Sequence, residues 1–233
     1  MNPVLQLRRV ARVHGTGATE VRALESVDLE VAAGELVAVM GPSGSGKSTL
    51  LGLASGLDRP TSGAVTVEGT DLATLLPADR AALRRRSVGY VFQSFNLLPA
   101  LTAAENVALP LELDGTRPRA ARTAALSALD AAGAAEVADR FPDDLSGGEQ
   151  QRVAIARGLV GDRRLLLADE PTGALDSVTG DAVLRLLRAR CDAGAAAVLV
   201  THEPRYAAWA DRVVHLRDGR VVETGAQALQ SMR

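Results

Sequence analysis

The chain has 233 residues, 47% of them apolar, enough for one large domain or two small ones with a real core. A formal charge of −2 argues against broad nucleic-acid binding. No run approaches the roughly 18 apolar residues that a membrane-spanning helix needs. Segment 1–9 has no apolar stretch of signal-peptide length after its charges, and the one cysteine, Cys191, excludes an internal disulfide and fits a reducing compartment. These features predict a cytosolic chain, for which a membrane role requires a separate spanning partner.

In chain order, Leu24, Val27, Leu29 and Val31 predict a ragged strand that Gly34 breaks. Leu36 to Met40 is a short continuous apolar run, a buried strand, and it ends at Gly41-Pro42-Ser43-Gly44-Ser45-Gly46-Lys47-Ser48. This segment fits the phosphate-loop pattern G-x-x-x-x-G-K-[ST]. Of the 26 basic residues 25 are arginine, and the single lysine is Lys47. A compact ammonium on a flexible stem suits a phosphate wrapped by backbone, where a broad guanidinium does not. The glycines let the main chain curl until successive N–H groups point at one anion. A helix over about 47–56 adds its positive end. Strand, glycine loop and helix in that order are what separate this segment from a Gly-Ser linker that happens to contain a lysine.

Residues 64–69 and 88–92 predict two further strands. From about 98 to 160 the chain turns Ala- and Leu-rich with helical spacing, and Thr102-Ala103-Ala104-Glu105 fits a capping box. Pro118 and Pro142 punctuate this block. The run 120–139 reads as ordinary packing rather than as a partner-binding amphipathic helix. Two continuous apolar runs, 165–168 and 197–200, suit central parallel strands covered on both faces. Residues 213–222 read as a hairpin on an Asp218-Gly219 turn.

Asp169 and Glu170 follow the first of those buried runs. Consecutive residues leaving a strand point in opposite directions, so two adjacent acids can do different work. Asp169 is placed to hold Mg²⁺ with the Ser48 hydroxyl and the β- and γ-phosphates, and Glu170 to polarise an attacking water. His202 closes the second run at the same sheet end, where ligands of open α/β sheets collect; by itself a histidine there is as readily structural. Leu145-Ser146-Gly147-Gly148-Glu149-Gln150-Gln151-Arg152 opens a helix on a Ser-Gly-Gly turn, a second candidate anion site. A single nucleotide rarely needs both helix starts from one subunit. Two chains placed head to tail, each lending its second site to the other, close as a two-fold dimer.

LSGGEQQR followed by an apolar strand and DEPTGALD resembles the ATP-binding-cassette (ABC) ATPases, over roughly residues 3–225. The resemblance implies an α/β P-loop NTPase fold: a RecA-like parallel-sheet core, an antiparallel β subdomain and an α-helical subdomain inserted at about 98–160, all in one domain over 1–233. It implies that Gly41, Pro42, Ser43, Gly44, Ser45, Gly46, Lys47, Ser48 and Thr49 bind ATP. Ser48, Gln93 and Asp169 would hold Mg²⁺, and Glu170, His202, Gln93 and Lys47 would carry hydrolysis. Ser146, Gly147, Gly148 and Glu149 correspond to the signature that contacts the opposite subunit's γ-phosphate, and Asp176 to a loop between the two subunits.

GPSGSGKSTLL, FQSFNLLPALTAAENVALPL and PTGALDSVTG look most like the group serving macrolide export, lipoprotein release and cell division. That group implies a homodimer on the cytoplasmic face of the membrane, bound to an integral membrane permease. Phe95, Leu97 and Leu98 would line the groove that receives a permease helix. The chain departs from the group at the adenine contact, where a tyrosine is usual and His14 stands, with Arg12 able to share the role. Two rivals stand beside this assignment. A soluble ABC ATPase acting on nucleic acid or the ribosome would need a second cassette or long insertions, and a small-molecule phosphotransferase would leave Leu145–Arg152 unexplained.

Overall fold

Continuous apolar runs become the centre of a six-stranded sheet in the computed structural model, which describes residues 3–226. Its strands are β3 (Leu36–Met40), β6 (Val88–Val91), β7 (Leu165–Asp169), β8 (Ala196–Val200), β9 (Arg212–Arg217) and β10 (Arg220–Ala226). The order is β10-β9-β3-β8-β7-β6, with β10 antiparallel to β9 and every other pair parallel. β7 and β8 are buried along their whole length, as strands covered by helices on both faces must be.

A second, antiparallel sheet runs β2-β1-β4-β5. It is built from β1 (Leu5–His14), β2 (Val21–Val31), β4 (Ser62–Val67) and β5 (Thr70–Asp71). Where the sequence predicts a strand over 64–69, β4 stops at Val67, because Glu68 and Gly69 form a two-residue turn with φ of 48° and 78°. Two positive φ angles in succession match the twist of a tight hairpin. α1 (Lys47–Ala54) likewise ends short of the expected 56, with Gly56 at φ 70° in the left-handed region that terminates helices.

The 98–160 block holds α3 (Ala103–Glu112), α4 (Pro118–Ala131) and α5 (Gly147–Leu159). Thr102 and Glu105 form the expected capping box at the start of α3. α4 buries Ala121, Ala125 and Leu129 along one face, which is ordinary packing. Buried Asn106 on α3 fastens the entry to the block: its side chain accepts from Leu98 N and donates to the carbonyls of Leu98, Leu101 and Thr102. Three further helices were not anticipated: α2 (Pro77–Ser87), α6 (Ser177–Asp192) and the short α7 (Pro204–Ala207).

Apolar packing falls into three clusters. One lies between the two sheets and takes in Leu50, Leu51 and Leu53 of α1. A second covers the other face of the large sheet with Ile155 of α5 and Val183, Leu184 and Leu187 of α6. The third is the interior of the helical block. Each fully buried leucine contributes about 2 kcal/mol through removal from water. Among the described residues no helix is long and apolar enough to cross a membrane.

The tightest join between helical block and sheet is backbone to backbone. A Cβ added at Gly89 of β6 would lie 1.9 Å from the carbonyl oxygen of Gly158 on α5. Gly89→Ala is therefore expected to cost about 3 kcal/mol through forced separation of α5 from β6, read as a lower urea midpoint at unchanged slope.

Candidate functional site

Register decides where the chemistry collects. Val39 of β3 and Asp169 of β7 both pair with Val200 of β8, and Ala168 pairs with Val91 of β6. The four strands therefore end level, and the segments that leave them meet at one edge. Residues 41–44 and 46–49, Gln93, Asp169, Glu170 and His202 line one cleft of about 570 Å³, a size suited to a small-molecule ligand.

The phosphate loop is wedged between both sheets. A Cβ on Gly41 would lie 2.0 Å from the Leu216 carbonyl oxygen of β9, and one on Gly46 would lie 2.3 Å from that of Ala23 on β2. Gly46 also holds φ at 102°, which side chains rarely adopt. Lys47 arches back across the loop, its Nζ donating to the Gly41 and Pro42 carbonyls at 2.8 Å each. Helices α3, α5 and α6 each have a side chain over their first turn, from Thr102, Ser146 and Asp176. α1 starts at Gly46 with no side-chain cap, so its leading N–H groups open toward the cleft.

The two acids at the end of β7 have different surroundings. Asp169 is 7% exposed; burial raises its pKa, against the opposing pull of a hydrogen bond from Ser48 and the charge of Lys47. Glu170 stands at φ 46°, a left-handed conformation that costs a side-chain-bearing residue about 1 kcal/mol. Its N–H donates to Val200 O at 3.0 Å, and its Oε1 lies 2.9 Å from Nδ1 of the exposed His202. This hydrogen bond, followed by the carboxylate charge, raises the His202 pKa.

One carboxylate and one hydroxyl, Asp169 and Ser48, do not hold a divalent cation by themselves. No cluster of three His, Cys, Asp or Glu side chains suited to a metal occurs among the described residues. The donor set fits a hard cation that completes its shell with phosphate and water oxygens, as Mg²⁺ does.

Other expected residues fall elsewhere. His14 does not line the cleft; its ladder partner Val21 does, together with Arg22 and Ala23. Arg12 forms an ion pair with Asp58 at 2.7 Å and, like His14, is not among the residues that line the cleft. The wall formed by Val21–Ala23 has no signal of its own in the sequence, although these residues pair across the hairpin with the segment that holds Arg12 and His14.

Ser146 to Glu149 also lie outside the cleft. Ser146 and Glu149 form a reciprocal capping box, which occupies both their N–H groups and leaves those of Gly147 and Gly148 as the free donors of the turn. The carboxylate of Glu149, its pKa held low by those Ser146 bonds, supports the turn rather than offering a donor to an anion. Asp176 caps α6, accepting from Val178 N and Thr179 N at 3.0 Å each. Of the three apolar residues after Gln93, Leu97 packs on the helical core, Phe95 is half-buried and Leu98 is 46% exposed.

A parallel sheet with a glycine loop, one lysine and an Asp-Glu pair at its carboxyl edge defines a P-loop nucleotide-binding cassette. The sequence pattern described as "ABC transporter" matches residues 24–173. The macrolide export ATP-binding/permease protein MacB of Hyphomonas neptunium is 46% identical over 220 residues, 94% of this chain and 34% of the relative. The ABC transporter ATP-binding protein YknY of Bacillus subtilis is 44% identical over 94% of this chain and 95% of its own length. Among solved structures, the ATP-binding cassette MJ0796, a dimer in a post-hydrolysis state bound to ADP and Pi, superimposes with a TM-score of 0.91 at 40% identity. That match covers 95% of this chain and 98% of the other. The chain belongs to the ABC transporter family and is an ATPase cassette of it. It spans about a third of the length of the MacB relatives and nearly all of YknY.

The Glu170–His202 contact makes a signed prediction. A raised His202 pKa means a stabilising contribution that is present below the ordinary histidine value and is lost as pH rises through the folded one. By ¹H–¹⁵N NMR titration the His202 ring is expected to titrate above about 6.5, and to fall back toward it in Glu170→Gln.

Proposed function

We propose that this cassette binds Mg-ATP between its own phosphate loop and the Ser146 turn of a second copy, and that closure and reopening of the pair drive a transmembrane permease. The observation that carries this is the separation of two anion-binding features: the cleft holds residues 41–44 and 46–49 with Asp169, Glu170 and His202, while Ser146–Gly148 are absent from its walls. Further support comes from the relatives. MJ0796 was solved as a dimer, and the MacB proteins carry ATP-binding and permease functions under one name. A place on the cytoplasmic face of the membrane, held there by the permease, follows from that partner. The named relatives are transporter proteins and lend no support to a nucleic-acid or ribosomal role.

In this proposal Lys47 and the open N–H groups of α1 neutralise and orient the phosphates. Ser48, Asp169 and Gln93 would hold Mg²⁺, whose charge would offset that developing on the transferred phosphoryl group. Glu170 accepts a proton from the attacking water, held in place by its bond to His202, and Gln93 reaches in from the end of β6 to order the same water. Because a γ-phosphate bridging two subunits exists only with ATP, the nucleotide favours the closed pair. Phe95 and Leu98 present apolar surface beside the helical block for a permease helix, while Leu97 stays with the core.

Glu170→Gln is expected to bind ATP, lose hydrolysis by about 100-fold or more and elute as a dimer with ATP on size-exclusion chromatography. A monomer under those conditions counts against the shared site. Lys47→Ala is expected to weaken ATP binding by about tenfold or more in calorimetry, through loss of the only ammonium at the phosphates. Unchanged affinity would move the nucleotide elsewhere.

A further inference from the structure

Gln93 is bracketed by two consecutive residues of a single helix. Ahead of it, β6 is pressed against α5: a Cβ on Gly158 would lie 2.8 Å from Val91 Cγ2, as one on Gly89 would strike the Gly158 carbonyl. Behind it, Arg157 spans the loop, Nη2 donating to Phe95 O at 2.6 Å and Nη1 to Asn96 O at 2.5 Å. Phe95 and Asn96 both sit in the left-handed region, at φ 57° and 55°. Two such residues in a row cost about 1 kcal/mol or more each and persist only where their surroundings hold them. Arg157 supplies that hold, since the fork of one guanidinium matches two adjacent carbonyls as an ammonium does not.

Nothing else explains a cation at this position. Arg157 is half-buried, burial alone lowers its pKa, and no carboxylate among the described residues faces it. A desolvated guanidinium without an anion is costly unless its hydrogen bonds are met, and here two are met by one loop. The same helix begins, three turns earlier, at the Ser146–Gly148 turn.

We infer that Arg157 is a positioning residue for Gln93, fixing the reach of that side chain into the nucleotide cleft to the placement of α5 and hence of the Ser146 turn. The inference rests on the role proposed above for Gln93. Arg157 is not among the residues that line the cleft; it acts by locking the backbone two and three residues beyond Gln93. A helix that shifts on meeting a second subunit's phosphate carries Gln93 with it.

The test is a double-mutant cycle on steady-state ATP hydrolysis with Arg157→Ala, Arg157→Lys, Gln93→Ala and the Arg157→Ala/Gln93→Ala pair. Arg157→Ala is expected to lower kcat by about tenfold with KM for ATP moved less than about twofold, and Arg157→Lys to fall between it and the parent. On the Gln93→Ala background the arginine change is expected to cost less than about twofold more, because the group it positions is already gone. Losses that multiply in the double variant, or an Arg157→Ala enzyme with parental kcat, overturn the inference while leaving Gln93 in its role. A Gln93→Ala enzyme at full kcat removes that role and the inference together. Should Arg157→Ala melt below the assay temperature, the cycle is run with Arg157→Lys, where losses that multiply likewise overturn the inference.

Discussion

Everything at the nucleotide end of this molecule depends on the register of one parallel ladder. Val200 of β8 is paired on one side with Val39 and on the other with Asp169. Slip either neighbour by one residue and the pleat turns its side chains to the other face, sending Asp169 away from Ser48. Close packing on both faces of β3, β7 and β8, where almost every residue is buried, resists the slip. Packing in the core thus fixes distances in the cleft.

Electrostatics then divides the labour among helix starts that look alike in sequence. Three helices have a side-chain oxygen on their leading N–H groups and are closed to outside anions, apart from the two glycines of the Ser146 turn. α1, which like α2, α4 and α7 lacks a side-chain cap, opens over a loop that carries a lone ammonium. Asp169, buried beside that ammonium and the Ser48 hydroxyl, keeps the cleft from being uniformly positive. The result is a site whose own charges are partly balanced before a triphosphate arrives.

Much of this was legible from the chain. The central strands, the phosphate loop, the capping box at Thr102 and the hairpin at Asp218-Gly219 each have a local signal strong enough to survive folding. β1 was not foreseen because its alternation breaks: Leu5, Leu7 and Val10 are buried, and the ladder shifts register between Leu7 and Val10, where Arg9 takes φ 45°. α6 was hidden inside a stretch read for its motif, although Asp176 is a plain helix cap. His14 is absent from the cleft lining while its ladder partner Val21 is present, a difference that the sequence of either strand does not signal. Arg157 had no sequence signal at all among 25 arginines; its meaning lies in the two carbonyls it meets.

The arch made by Lys47 has a chemical corollary. Acylating or alkylating agents that seek amines find only one side-chain target here, and its Nζ is already tied to the carbonyls of Gly41 and Pro42. Covalent modification at lysine is therefore an all-or-nothing event: the group that would be capped is the one that arches over the phosphate loop. Amine-directed acetylation passes over the other 25 basic residues, because arginine does not answer to that chemistry.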